Sequence, residues 1–340
     1  MEPIIGIDLA KRVFQLHIAT LQGQIKANKL IIREKLMVFI VQQPPSRIVM
    51  EACGSVNYWA RQFRKYGHDV KQISPQHVAP FRMGNKNDKN DAIAIVEADS
   101  RPGMRYVPEK NLEQQDMQCL HRVRQSLMKN RTALINQIRG LGLEYGITIP
   151  EGPHKIALCL PDYLEDAKNE LTAMSRQLFH ELLQELREYQ QRLKERDKRL
   201  EHIGSLNEDT TRLQSLPGIG VLGASALTVA LGDSSDFKND RHFASYQGLV
   251  PKEHSSGGKV KPLGITKRGD AYLRGLLIHG ARSVVYRTGN LPDERCNDLQ
   301  RWLKGIIARS GVNKAVVALA NKNTRMAWAL VNQQTIYVSK

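Results

Sequence analysis

The order of short apolar and amphipathic runs in the first 75 residues leaves little choice of fold. Residues 4–9, 13–20 and 25–32 read as three short strands, with Gln22-Gly23 marking the second turn of a meander. A helix-like stretch, 33–42, ends at Pro44-Pro45. RIVMEA (47–52) is another apolar strand, and NYWARQFRKYG (57–67) is an amphipathic helix with glycine at its end. HDVKQISP (68–75) is a further strand. Three strands, helix, strand, helix, strand predicts a mixed α/β sheet with helices packed on it.

Two of these strands end in an acid. IIGID carries apolar residues on both faces of its strand and then Asp8, and IVME ends in Glu51. A carboxylate there is costly unless something pairs with it, and strand C-termini open into the crevice where ligands bind. Asp88 and Asp91 stand three apart at the start of a helix that runs to about residue 99, which puts both on one face. Taken singly, these acids read as solvated strand ends and helix caps. Taken together, four carboxylates converging on one crevice cannot all stay ionised without cations between them. An all-oxygen set suits hard divalent metal, Mg²⁺ in particular, and two such ions flanking a phosphate serve phosphoryl transfer. Asp8, Glu51, Asp88 and Asp91 are therefore the candidate metal ligands and catalytic acids.

Charge points to the partner. The chain of 340 residues has 50 Lys+Arg against 34 Asp+Glu, and 11 of its 16 surplus positive charges lie beyond Pro251. That asymmetry favours a polyanion, most simply nucleic acid, over a merely soluble basic surface. The four cysteines, Cys53, Cys119, Cys159 and Cys296, form no CxxC, which predicts reduced thiols in a cytosolic protein with no zinc site and no disulfide framework. No run is long and apolar enough for a membrane span, and MEPIIGIDLA lacks the basic start of a signal peptide, so no membrane partner is expected.

Beyond the break at SRPG (100–103), residues 111–142 keep a 3/4 apolar spacing, and 163–203 carry a near-heptad pattern with one stutter. An antiparallel helical pair follows, either a plain hairpin or a coiled coil that also carries a dimer seam. From residue 206 the texture is Gly-rich, basic and built of shorter helices. The expected domains are 1–107, 108–205 and 206–340.

In the last of these, LQSLPGIGVLGASAL (213–227) spells GxGxxG with Gly218, Gly220 and Gly223, but no buried strand precedes it, as a dinucleotide site requires. A helix–hairpin–helix turn fits better, with Gly218 and Gly220 offering backbone N–H groups to a DNA phosphate; an ordinary tight helix–helix turn is the alternative. The stretch 243–277 then sets Ser255-Ser256-Gly257-Gly258 among Lys252, Lys259, Lys261, Lys267, Arg268 and Arg274. These cations are candidate phosphate contacts. The serines are turn residues of a flexible basic loop, or one of them is a nucleophile whose developing charge the cations stabilise. Residues 301–331 read as two more helices.

GIDLAK, IVMEACGS (48–55) and NKNDKNDAIAI (85–95) resemble, acid by acid, the Asp-Glu-Asp-Asp transposases of the insertion-sequence 110 family, near its 1111 subgroup. GLVP (248–251), Ser256-Gly257, Gly264 to Gly269 and Leu273-Arg274 match that family's C-terminal pattern. The resemblance implies an RNase H-like, Holliday-junction-resolvase-like N-terminal domain whose acids are Asp8, Glu51, Asp88 and Asp91. It implies a catalytic serine at Ser256, a covalent phosphoserine link to DNA, and Mg²⁺ at the acids. It further implies donor and target DNA as partners, a noncoding bridge RNA as guide, a homo-oligomer (dimer or tetramer), and a place in the bacterial cytoplasm on nucleoid DNA. A metal-only nuclease or junction resolvase with Ser256 merely structural is the competing reading. A non-catalytic nucleic-acid scaffold is another. An actin-like sugar kinase lacks its second phosphate loop here.

Overall fold

A computed structural model describes residues 3–20 and 22–339. It divides into two compact units, residues 1–111 and 112–340.

The first unit is a mixed α/β layer structure. Its strands are β1 (Ile4–Asp8), β2 (Val13–Ala19) and β3 (Ile25–Ile32), then, after helix α1 (Arg33–Val41), β4 (Arg47–Glu51). Helix α2 (Val56–Arg64), β5 (Asp69–Ile73), the short α3 (Pro75–Val78) and α4 (Asp88–Asp99) complete it. The sheet order is β3-β2-β1-β4-β5. The β1–β2 and β2–β3 pairs are antiparallel, whereas β1–β4 and β4–β5 are parallel. The antiparallel pairs need only tight turns, while each parallel pair needs a crossover, which α1 and α2 supply.

Strand alternation sorts the core into two layers. Ile5, Ile7, Ile48 and Met50 point to one face, where Leu36 and Ile40 of α1 and Trp59, Ala60 and Phe63 of α2 cover them. Ile4 and Val49 point to the other face, under Ala94, Ile95, Val96 and Ala98 of α4. Gly6 lies on this second face. A Cβ there would sit 2.5 Å from Val96 Cγ2 and 2.7 Å from the Ala92 carbonyl, so only glycine lets α4 approach the central strand this closely. The far end of α4 is pinned by a buried fork. Arg47 Nε and Nη2 donate to the two Asp99 carboxylate oxygens at 2.7 and 2.8 Å, and the Tyr106 hydroxyl donates to the same carboxylate at 2.8 Å.

The second unit is mostly helical. It holds α5 (Leu112–Leu143), α6 (Pro153–Glu165), α7 (Ala173–Ser205), α8 (Glu208–Leu213), α9 (Val221–Leu231) and α10 (Asp240–Tyr246). A two-stranded hairpin follows, β6 (Pro251–Glu253) and β7 (Pro262–Ile265), and then α11 (Ala271–Gly289), α12 (Asp298–Ser310) and α13 (Val312–Gln333). Helices α5 and α7 run antiparallel: Met117 packs with Leu200, Arg124 pairs with Asp197, and Ile138 shares a core with Phe179. The continuous helix expected over 163–203 is instead two helices. α6 ends at Glu165, and Thr172 caps α7 by accepting from the Ser175 N–H. The Arg176 side chain fastens the bend by donating to the carbonyls of Tyr163, Leu164 and Asp166. Local capping overrides the heptad pattern there.

Four helices meet at His121, which is 4% exposed. The Ser225 hydroxyl gives its proton to the Val221 carbonyl, so its lone pair accepts from His121 Nε2 at 3.0 Å. Nδ1 then accepts from the Tyr272 hydroxyl, also at 3.0 Å, and Tyr272 takes a further hydrogen bond from Arg124. Burial, aided by the Arg124 charge, lowers the His121 pKa from 6.5 to about 4. The folded protein therefore holds this imidazole neutral where the unfolded chain would protonate it, and stability falls as pH drops from about 6.5 towards about 4. Urea denaturation of the helical unit is expected to show a loss of about 2 kcal/mol between pH 6.5 and pH 5. His121→Gln should be less stable at pH 7 and should flatten that slope.

Candidate active site

The pleat places the four acids. Asp8 is two residues past Gly6 and Glu51 two past Val49, so both continue the α4 face of the sheet. Asp88 and Asp91 open α4 itself, and Asn87 caps the helix by accepting from the Asn90 N–H at 2.8 Å. The cap is thus supplied by Asn87, which frees both aspartates from the capping role. β1, β4 and the first turn of α4 bring Asp8, Glu51 and the two aspartates to one end of the sheet, on one face.

Burial and crowding are visible in the proton affinities of Asp8 and Glu51. The Asp8 pKa is raised to about 6, first by burial and then by the charges of Asp88, Asp91 and Glu51, with Lys86 opposing. Glu51 is raised too, by burial and then by Asp91, against Arg82 and Lys86. Neighbouring Cys53 is pushed up to about 11 by burial and by Glu51 and Asp8, so its thiol stays protonated. Asp91 is 8% exposed and forms an ion pair with Arg82. Arg82 and Lys86, on the segment leading into α4, are the cations that sequence reading missed; no local pattern marks an arginine as the partner of an acid nine residues on.

The donor set suits a hard divalent cation by its own chemistry: carboxylate oxygen only, with negative charge in excess of what Arg82 and Lys86 neutralise. As the side chains stand, with Asp91 turned to Arg82, no three His, Cys, Asp or Glu groups among the described residues form a ready ligand set.

The serine pair sits in the second unit, on the β6–β7 hairpin. The lysines and glycines there predict a flexible loop; the chain instead forms two strands closed by Ser256-Gly257-Gly258-Lys259. The Lys259 N–H donates to the Ser256 carbonyl at 3.0 Å, and both glycines have positive φ, 56° and 77°. Positive φ at both central residues is the I′ turn that matches strand twist. The two serines differ. Ser255 Oγ donates to Glu253 Oε1 at 2.6 Å and accepts the Lys261 N–H at 3.3 Å. The Ser256 hydroxyl has no hydrogen-bond partner among the described residues.

The predicted phosphate contacts fall into groups. Lys252, Lys259, Lys261, Lys267 and Arg268 are exposed on the hairpin and its root. Arg274 is half-buried and donates to the Arg268 and Gln247 carbonyls at 2.9 and 3.4 Å, so it braces the root of the hairpin. Gly218 packs against Gly280 of α11, and Gly220 precedes α9 as its cap. Both border a cavity of about 410 Å³ that also includes Asp197, Glu201, Leu276 and His279.

A sequence model of DEDD-type IS110 transposases, described as "Transposase", matches residues 5–145, and one described as "Transposase IS116/IS110/IS902 family" matches residues 210–295. The chain is 43% identical to the "Probable family 20 transposase" of Pseudomonas aeruginosa over 98% of both chains. It is 42% identical to the "Transposase for insertion sequence element IS1111A" of Coxiella burnetii, over 98% of this chain and 91% of that one. A "Pilin gene-inverting protein" of Moraxella bovis is 24% identical over 84% and 80%. The chain is a DNA transposase, an enzyme that acts on DNA. It belongs to the IS110 family of insertion-sequence transposases, and its DEDD-type domain implies use of a divalent metal. No helix among the described residues is long and apolar enough to cross a membrane.

The crowding of carboxylates gives a direct test. A carboxyl whose pKa is raised in the fold loses stability as pH rises through the window from 3.8 to about 6, because the fold resists the charge that the unfolded chain accepts. Asp8→Asn removes that penalty. With chelator present, denaturation at pH 7 should find the variant about 1 kcal/mol more stable than the parent, after discount for partial exposure. At pH 4 the advantage should disappear.

Proposed function

We propose that this transposase cuts and rejoins donor and target DNA through a phosphoserine formed at Ser256, with Asp8, Glu51, Asp88 and Asp91 holding Mg²⁺. The observation that carries the serine assignment is the contrast within the hairpin. The hydroxyl of Ser255 is engaged on both sides by Glu253 and Lys261, while that of Ser256, at the tip among exposed lysines, is free. In the attack, a bond forms from Ser256 Oγ to phosphorus and one phosphate–sugar ester bond breaks. The hydroxyl proton leaves, and the departing sugar oxygen takes up a proton. Exposed Lys252, Lys259, Lys261, Lys267 and Arg268 offset the charge that gathers on the phosphate oxygens, and rejoining reverses the exchange with a new sugar hydroxyl. A divalent ion, when bound, supplies Lewis-acid stabilisation of phosphate and leaving oxygen.

The sheet order β3-β2-β1-β4-β5, with its acids on the α4 face, supports reading the N-terminal unit as RNase H-like. Three functional regions are proposed: 1–107 with the acids, 108–205 as a helical, coiled-coil-like spacer, and 206–340 with the serine hairpin and a helix–hairpin–helix at Gly218 and Gly220. The family resemblance extends the reading to an oligomer, dimer or tetramer, acting on nucleoid DNA in the bacterial cytoplasm. Resemblance to the family adds a bridge RNA as the guide that pairs with both DNAs, leaving backbone and shape to the protein.

The experiment is a covalent-capture assay. The protein is expressed with its native flanking DNA, mixed with labelled donor and target DNA and Mg²⁺, and resolved on a denaturing gel. A DNA-linked protein band is expected, absent in Ser256→Ala, retained in Ser255→Ala and reduced at least tenfold in Asp91→Asn. Cleaved DNA with no adduct, unchanged by Ser256→Ala, would leave a metal-only nuclease.

A further inference from the structure

Helix α11 contains no Asp or Glu from Ala271 to Gly289, yet it carries Arg274, His279, Arg282 and Arg287. Its buried line is Leu273, Leu277, Ala281, Val285 and Thr288. The opposite line is exposed and consists of His279, Arg282, Ser283, Tyr286 and Arg287, which helical spacing gathers on one face. Tyr286 keeps 59% of its surface in solvent. Neither Arg282 nor Arg287 has an ion-pair partner among the described residues. An ordinary solvated helix of this chain looks different: α7 interleaves Glu181, Glu185, Glu188 and Glu195 with Arg187, Arg192 and Lys194. A face of one sign around an exposed aromatic ring needs another account.

We infer that the exposed face of α11 is a track for an unpaired segment of the DNA strand, with Arg282 and Arg287 on phosphates and Tyr286 stacking on a base. Charge complementarity selects a polyanion. The ring selects unpaired nucleic acid, because a duplex turns its base faces inward and offers nothing to stack on, whereas a single strand exposes them. Position selects the strand. α11 starts at its cap Asp270, directly after Lys267 and Arg268 at the root of the serine hairpin, and Arg274 of α11 braces that same root. Arg282 and Arg287 lie about 18 and 25 Å along the helix axis from Asp270, a distance that a short unpaired segment leaving the hairpin root spans. The inference needs only that the substrate is DNA, not that Ser256 is the nucleophile.

Fluorescence anisotropy of the full chain on a labelled single strand of about 15 nucleotides, titrated at several salt concentrations, tests this. Arg282→Gln with Arg287→Gln should lower the salt slope by about 1.4, from two lost contacts at about 0.7 each. Arg282→Lys with Arg287→Lys should keep the slope, which separates charge from folding damage. Tyr286→Leu should weaken single-strand binding about fivefold or more and leave a duplex of the same sequence within about twofold. The inference is overturned by an unchanged slope in the Gln pair, or by equal loss on duplex and single strand in Tyr286→Leu. It is overturned as well by loss confined to an RNA strand, which would make the face an RNA track. A change of oligomeric state on gel filtration, with DNA affinity intact, would make it a protein interface.

Discussion

Burial of Asp8 and Glu51 beside further carboxylates is the constraint around which the N-terminal unit is built. Asp8 is pushed up to about 6 because the fold buries it and crowds it with Asp88, Asp91 and Glu51. Asp8 and Glu51 are held there at a cost that hydrophobic packing elsewhere in the unit must offset. The offset is local: Gly6 lets α4 settle on β1, apolar residues of α4 cover Ile4 and Val49, and the Arg47–Asp99 fork fixes the other end of the helix. The same helix therefore carries Asp99, whose charge the Arg47 fork neutralises, and two aspartates whose charges raise the Asp8 pKa. Arg82, paired with Asp91, opposes the rise at Glu51 from within the chain.

Much of this was legible from the residues. Apolar alternation in IIGID and RIVME already fixes which residues share a face, because the strand period is two; Asp8 and Glu51 follow from the parity of Gly6 and Val49. The D-x-x-D spacing at Asp88 and Asp91 is a helix repeat and needs no structure to read. What was not legible depends on distance in sequence. Asp99 reads as one more helix-end acid until Arg47 is found beside it, 52 positions away. Arg82 is hidden for the same reason. The break between α6 and α7 was missed because a heptad pattern runs on through Leu171, while the Thr172 cap and the Arg176 clamp act through hydrogen bonds that periodicity does not register.

In the second unit the sequence shows composition better than form. Lysines and glycines around Ser256 suggest a mobile loop, yet the two glycines are what an I′ turn requires, and they convert the stretch into a hairpin. The two serines look equivalent as letters and become distinct only once Glu253 and Lys261 are seen to occupy Ser255. The basic face of α11 is a similar case: its arginines count in the net charge, but only the buried line from Leu273 to Thr288 shows which of them face solvent. Positive charge thus lies along a hairpin and a helix of the second unit, and the four acids gather at one end of the sheet of the first.

Thermal melting of the full chain against Mg²⁺ and Mn²⁺ tests whether the crowded acids form a cation site. A ligand that binds only the folded state raises the melting temperature in proportion to the logarithm of its concentration above Kd. Such a rise is expected for the parent protein, with K⁺ at equal ionic strength giving none, and is expected to be lost in Asp8→Asn. An absent rise, or an equal rise in Asp8→Asn, would contradict a cation site there.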